Sequence, residues 1–184
     1  MARKFPTSAS ESQPGSLADV RAAQDPHATA RSIVLRRLNA MARTRKDLYD
    51  DLLSRDIPEG VANEVLDRFT ELGLIDDAQY AQMFVASRQR SRGTAKPVLR
   101  QELRRKGVPD EEIVEALAEI SPEDEYERAR LLVEKKMPSL ARFDSATQQR
   151  RLMNLLMRRG YNGSVAASLV RDAVQAELDL ELDE

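Results

Sequence analysis

The chain has 184 residues, room for one ordinary domain or for a tandem array of small units. Charged residues make up 33%, with 29 Lys and Arg against 31 Asp and Glu, which favours long solvated helices over sheets buried on both faces. With four Tyr, four Phe and no Trp, a core must be built from Leu, Ile, Val, Ala and Met, and the absence of Cys excludes disulfides, thiolate zinc sites and a cysteine nucleophile. No apolar run approaches the ~18 residues that span a bilayer, and the N-terminus lacks the apolar stretch of a secretory signal. A soluble, cytoplasmic protein without membrane contact is expected. The formal net charge of −2 argues against a uniformly basic nucleic-acid binder and directs attention to how charge is distributed.

Residues 1–24 mix Pro6, Pro14 and Gly15 with Ser, Thr, Ala and Glu and show no helical period, so a disordered tail is expected there. Asp25-Pro26 then gives an N-cap followed by a first-turn proline, and Ala30, Ile33, Val34, Leu38 and Met41 follow at helical spacing. Thr44 to Asp47 reads as the cap of a short second helix carrying Leu48, Leu52 and Leu53. Pro58 opens a third, with Val61, Val65, Leu66, Phe69 and Leu72, and Gly73 stands where a left-handed C-cap residue is expected.

The same grammar recurs twice. A helix from about Asp77 carries Tyr80, Ala81, Phe84 and Val85; one from about Lys96 carries Leu99 and Leu103 and stops at Gly107; a third starts at Pro109 with Ile113, Ala116 and Leu117. A further round begins at Ser121-Pro122 with Tyr126, Ala129, Leu132 and Val133, breaks at Pro138, and continues through Leu152 and Leu156 to Gly160 and then Val165, Leu169 and Val170. In register, Leu48, Leu99 and Leu152 align, as do Leu52, Leu103 and Leu156, then Arg55, Lys106 and Arg159, then Ile57, Val108 and Tyr161. Helical hairpins rich in Leu and Arg could align this well by chance, but the repeated order of basic residue, turn and apolar residue argues for duplication. The expected fold is all-α, an elongated tandem array of three three-helix, helix-turn-helix-like repeats over 25–75, 76–120 and 121–176, followed by an acidic tail at 177–184.

Catalysis finds no support. The single His27 sits beside Pro26 at the edge of the tail and reads as a solvated linker residue, and no nucleophile, base and orienting group can be assembled around it. Gly93 is followed by Thr94, Ala95 and Lys96, without the second glycine of a phosphate cradle. Asp76-Asp77 and Glu123-Asp124-Glu125 fall at helix N-termini, where carboxylates complement the helix dipole, and neither has the spacing of a calcium loop. No enzyme activity, cofactor or metal is expected.

Charge, in contrast, is sorted into blocks. Arg88, Arg90, Arg92, Lys96, Arg100, Arg104, Arg105 and Lys106 stand against the one acid Glu102 in their stretch, a local net of +7. From Asp110 to Glu127 there are nine acids and no base; a second basic run from Arg128 to Arg159 has nine bases against Glu134 and Asp144; and Glu177 to Glu184 adds five acids. Such alternation presents positive stripes to an anionic partner. On one helix Lys96, Arg100 and Arg104 recur every four residues as a cationic ridge while Leu99 and Leu103 point elsewhere. Guanidinium groups pair with phosphate and carboxylate alike, so a nucleic-acid backbone and an acidic protein groove both remain open as partners, and no candidate recognition helix carries an evident base-reading set.

Leu66 to Ala81 (LDRFTELGLIDDAQYA) followed by Phe84 to Arg88 (FVASR), and Arg92-Gly93 leading to Leu99 to Val108 (LRQELRRKGV), resemble the signature of the RecX family, bacterial regulators of the RecA recombinase. The resemblance extends over about Ala28 to Val174. It implies an elongated all-α protein that binds in the groove of the RecA–DNA filament and regulates it, mainly as an inhibitor of its ATPase, strand-exchange and coprotease activities, with weak non-specific DNA contact. It brings no catalytic residues. The basic residues Arg88, Arg90, Arg92, Lys96, Arg100, Arg104, Arg105 and Lys106 are the expected RecA- and DNA-contact surface, and a monomer is expected. Members often have a second glycine near the place of Ala95, and here this chain departs from the pattern. The alternative reading is a non-specific DNA-binding protein of helix-turn-helix-like repeats; a third is a helical scaffold whose inner faces form a groove for an acidic peptide.

Overall fold

A computed structural model describes residues 25–182, with side chains described through Glu177. The tail expected at 1–24 lies outside the described residues. The described residues form nine α-helices and no strand: α1 (Pro26–Ala40), α2 (Arg45–Leu53), α3 (Glu59–Glu71), α4 (Asp77–Arg92), α5 (Lys96–Arg105), α6 (Asp110–Ala118), α7 (Pro122–Lys136), α8 (Ser145–Arg159) and α9 (Gly163–Leu182), with a 3-10 turn at Met137–Ser139. Most helices start where a short polar side chain can take up a free N–H. Asp25 accepts from His27, Thr44 from Asp47, Asp76 from Gln79 and Asp144 from Thr147, and Ser121 with Asp124 forms a complete capping box. The final helix runs through Leu182, so most of the acidic end continues α9.

Helices pack in threes: α1–α3, α4–α6 and α7–α9. The extensive helix contacts fall within these units, and the buried apolar side chains separate into three clusters, with Ala95 alone crossing from the second unit into the third cluster. Each middle helix drives two fully buried leucines into its unit, Leu48 and Leu52, Leu99 and Leu103, Leu152 and Leu156. Burial of this kind contributes about 1.5–3 kcal/mol per side chain. After each middle helix the chain reverses through one left-handed residue, Asp56 (φ 59°), Gly107 (φ 75°) or Gly160 (φ 88°). The next residue, Ile57, Val108 or Tyr161, is buried and donates its N–H to the carbonyl of the second buried leucine, Leu52, Leu103 or Leu156, at 3.2 Å in all three units.

The units are joined twice by the same contact. At the first joint the N–H of Arg45, the first residue of α2, donates to the Asp77 carboxylate at 2.9 Å, and the Thr44 hydroxyl donates to the Lys106 carbonyl at 2.8 Å. At the second, the N–H of Lys96, the first residue of α5, donates to the Glu125 carboxylate at 2.8 Å, and the Ala95 N–H donates to the Arg159 carbonyl at 2.9 Å. Arg45 and Lys96, Thr44 and Ala95, and Lys106 and Arg159 occupy equivalent repeat positions. The first N–H groups of a helix and its last carbonyls have no partner inside it, and each joint answers one of each from the neighbouring unit. Close approach is part of the joint: a Cβ on Gly107 would lie 2.5 Å from Lys46 Cβ, and one on Gly160 would lie 2.6 Å from Val98 Cγ2. Burial raises the Asp77 carboxyl above its ordinary range, opposed by the Arg45 N–H. At the second joint the Tyr161 hydroxyl also donates to the Gly93 carbonyl at 2.9 Å, and burial pushes its pKa up to about 12.

Several positions differ from the pattern reading. Met41 is the C-cap of α1 and is exposed, and Leu72 ends α3 in the same way, because both lie past the last turn that faces the core. Leu53 and Tyr126 are also exposed, each at the edge of its helix's apolar stripe. His27 is no linker residue: it lies in the first turn of α1, with Nε2 2.9 Å from Glu64 Oε2 on α3. Asp47 does not reach back to close a capping box at Thr44, since its carboxylate binds Lys106 across the first joint.

Replacing Asp56 with Gly should raise the thermal midpoint, by roughly 0.5–1 kcal/mol of stability, because the left-handed backbone is then free of a Cβ. Gly160→Ala should lower it by more than about 1 kcal/mol, read by circular dichroism melting. Because Tyr161 stays neutral in the fold after an exposed tyrosine ionises, its stabilising contribution is complete below about pH 10 and disappears by about pH 12. The last phase of tyrosine ionisation in ultraviolet difference absorbance should vanish in Tyr161→Phe.

Candidate functional site

The basic stretch of the second unit spans the end of α4, a turn and α5. Gly93 closes α4 in the left-handed conformation (φ 56°), and a Cβ there would meet Leu132 Cδ1 at 2.7 Å, so both backbone and packing require glycine. Ala95 is extended (φ −79°, ψ 159°) and buried, a conformation that needs no glycine, which accounts for the departure from the family pattern.

The eight candidate cations divide into two groups. Arg88 lies 3.0 Å from Glu102 and 4.8 Å over the Phe84 ring, Arg104 lies 2.7 Å from Asp110, and Lys106 reaches Asp47 of the first unit at 3.0 Å. The hydrogen bond from Arg104 holds the Asp110 carboxyl below its ordinary range. These three charges are matched inside the protein. Arg90, Arg92, Lys96, Arg100 and Arg105 have no carboxylate at ion-pair distance among the described residues, and all but the half-buried Lys96 are exposed. The Lys96, Arg100 and Arg104 ridge is therefore neutralised at its C-terminal end, while Arg90, Arg92 and Arg105 add charge beyond it.

Extending the repeat register to the first helices brings out a pattern that the middle helices alone do not reveal. Ala30, Ala81 and Ala129 align and are fully buried, as do Val34, Val85 and Val133, and the next turn places Arg37, Arg88 and Lys136 in register. Across from them on the middle helices stand Asp51, Glu102 and Leu155. Arg37 grips Asp51 through two hydrogen bonds of 2.7 and 2.9 Å, and Arg88 pairs with Glu102. In the third unit the carboxylate is replaced by leucine, and Lys136 lines a cleft of about 490 Å³ with Leu140, Arg151, Asn154, Leu155 and Arg158. The second basic run contained these cations, but without the register of α1, α4 and α7 nothing singled them out.

Comparison with known proteins agrees with this division. Family models described as the first, second and third three-helix domains of RecX match residues 30–69, 76–117 and 123–170. The chain belongs to the RecX family. A regulatory protein RecX of Thermobifida fusca (strain YX) is 40% identical over 173 residues, covering 94% of this chain and 94% of that protein. One from Streptomyces lividans is 44% identical over 154 residues, 84% of this chain and 82% of that protein. The crystal structure of RecX from Lactobacillus salivarius, 23% identical, shares the fold with a TM-score of 0.69 over 81% of this chain and 97% of that one. The five cations that pair with no carboxylate among the described residues thus lie in or just before the middle helix of the second RecX domain. No helix among the described residues is long and apolar enough to cross a membrane.

Arg37 holds the Asp51 carboxyl below its ordinary value of 3.8, chiefly by hydrogen bonding, so this pair contributes stability above that pH and loses it as the pH falls through the lowered value. The drop in thermal midpoint between about pH 5 and pH 2 should accordingly be shallower in Asp51→Asn than in the wild type.

Proposed function

We propose that this chain regulates the RecA recombinase, mainly as an inhibitor, by binding in the groove of the RecA–DNA filament and restraining its ATPase, strand-exchange and coprotease activities. The observation that carries this reading is the full set of three RecX domains. Arg90, Arg92, Lys96, Arg100 and Arg105 are the contact residues of choice, since among the described residues no carboxylate pairs with them. Arg88, Arg104 and Lys106, each tied to a carboxylate, act by holding that surface together. The protein works by binding, as a monomer, with no catalytic step and no cofactor. The same free cations support non-specific DNA binding as a second reading, in which affinity for naked duplex would be comparable and would fall steeply with salt.

Titration of the protein into RecA hydrolysing ATP on single-stranded DNA, with and without competitor duplex, separates the two. Inhibition well below the RecA concentration that survives the competitor is expected. Arg100→Glu combined with Arg105→Glu should raise the half-inhibiting concentration about fivefold or more with helix content unchanged. Inhibition that disappears in proportion to added duplex would transfer the assignment to general DNA binding.

A further inference from the structure

The cleft of the third unit repeats a feature of the first two with one component missing. In each unit a cation on the first helix faces one position of the middle helix: Arg37 faces Asp51, Arg88 faces Glu102, and Lys136 faces Leu155. The first joint supplies a further carboxylate, Asp47, to Lys106, whereas the equivalent positions at the second joint are Val98 and Arg159. Both carboxylates present at the second unit are thus absent from the third, while the cations remain.

Among the described residues no carboxylate lies at ion-pair distance from Lys136, Arg151 or Arg158. Arg151, Asn154, Leu155 and Arg158 share one face of α8, and among the described residues no acid lines the cleft. The two acids within this basic run are engaged: Glu134 with Arg130, and Asp144 as the cap of α8. Arg151 is held by an aromatic face, its guanidinium 3.9 Å over the Phe143 ring, and Arg158 by a hydrogen bond from Nε to the Asn154 carbonyl at 3.1 Å. Both contacts position a guanidinium without cancelling its charge. Between the cations, Leu140 and the half-buried Leu155 provide apolar wall.

We propose that this cleft docks an acidic peptide segment of a partner protein, whose carboxylates take the places that Asp51 and Glu102 fill in the other units and whose apolar side chain rests on Leu140 and Leu155. Carboxylates are what equivalent cations bind in the first two units of this same molecule, and the Arg37 guanidinium grips one bidentately. The apolar wall distinguishes such a ligand from a bare phosphate strand, and the volume suits a few side chains. The proposal is independent of the filament reading, and its test contains no recombinase.

The probe is a fluorescein-labelled peptide of about ten residues, Asp and Glu interrupted by two leucines, followed by fluorescence anisotropy; the comparison ligands are the same peptide with serine for leucine and a fifteen-nucleotide oligothymidylate. Micromolar binding of the leucine peptide to the full chain is expected, about tenfold tighter than the serine peptide. Leu155→Glu, which restores the carboxylate of the other units, should weaken it at least tenfold, and so should the double variant Lys136→Gln and Arg151→Gln, which leaves the apolar wall intact. Circular dichroism melting of both variants verifies that they are folded. The proposal is overturned by absence of peptide binding at about 100 µM, by equal binding to the folded variants, or by loss of oligothymidylate binding alone in those variants, which would make the cleft a nucleic-acid site.

Discussion

Everything in this molecule depends on how a helix end finds a partner. A short middle helix of nine or ten residues, such as α2 or α5, leaves several N–H groups and carbonyls unanswered. Here the answer comes from the neighbouring unit: Asp77 for the start of α2, Glu125 for the start of α5, Thr44 and Ala95 for the ends of α5 and α8. The units do not merge their apolar cores, so their mutual placement rests on a few directional bonds and on glycines that let backbones come close. Hydrogen bonds at such ends fix orientation more than they add bulk stability, so the joints set the register between units.

The same economy governs charge. Buried or half-buried carboxylates hold α1 to α2, α4 to α5 and the first unit to the second, and each of them removes a cation from the surface available to a partner. On the second unit this leaves a smaller positive surface than the sequence suggests, and the cleft of the third unit keeps its cations. A cation counts toward recognition only after the protein's own acids have been subtracted.

Much of the fold was legible from the sequence. Helix starts at Asp25, Thr44 and Ser121 follow from side chains that can cap, and the leucine pairs of the middle helices follow from helical spacing. The errors cluster at helix ends, where Met41 and Leu72 continue the period past the point at which the core stops. The interaction surface was less legible because a run of basic residues says nothing about partners distant in sequence: Lys106 is matched by Asp47, 59 positions away, and Arg88 by Glu102 across a turn. The joints were invisible for a related reason. Asp77 and Glu125 satisfy the ordinary rule for acids in a first helical turn, and only packing reveals that they serve a different helix.

The middle helix of the third unit begins differently from the other two. α8 starts at Ser145, with its own cap at Asp144, and Gln148, which occupies the position of Thr44 and Ala95, is buried and donates to the Phe143 carbonyl at 2.9 Å. The joint has a direction, with one unit offering a helix start and the next offering carboxylate and carbonyl, so it is a head-to-tail contact that does not close on itself. Left open, such a contact between identical molecules propagates into fibres. In the third unit the equivalent position is spent within the unit itself, because Gln148 answers a carbonyl of its own segment where Thr44 and Ala95 answer one from a neighbour.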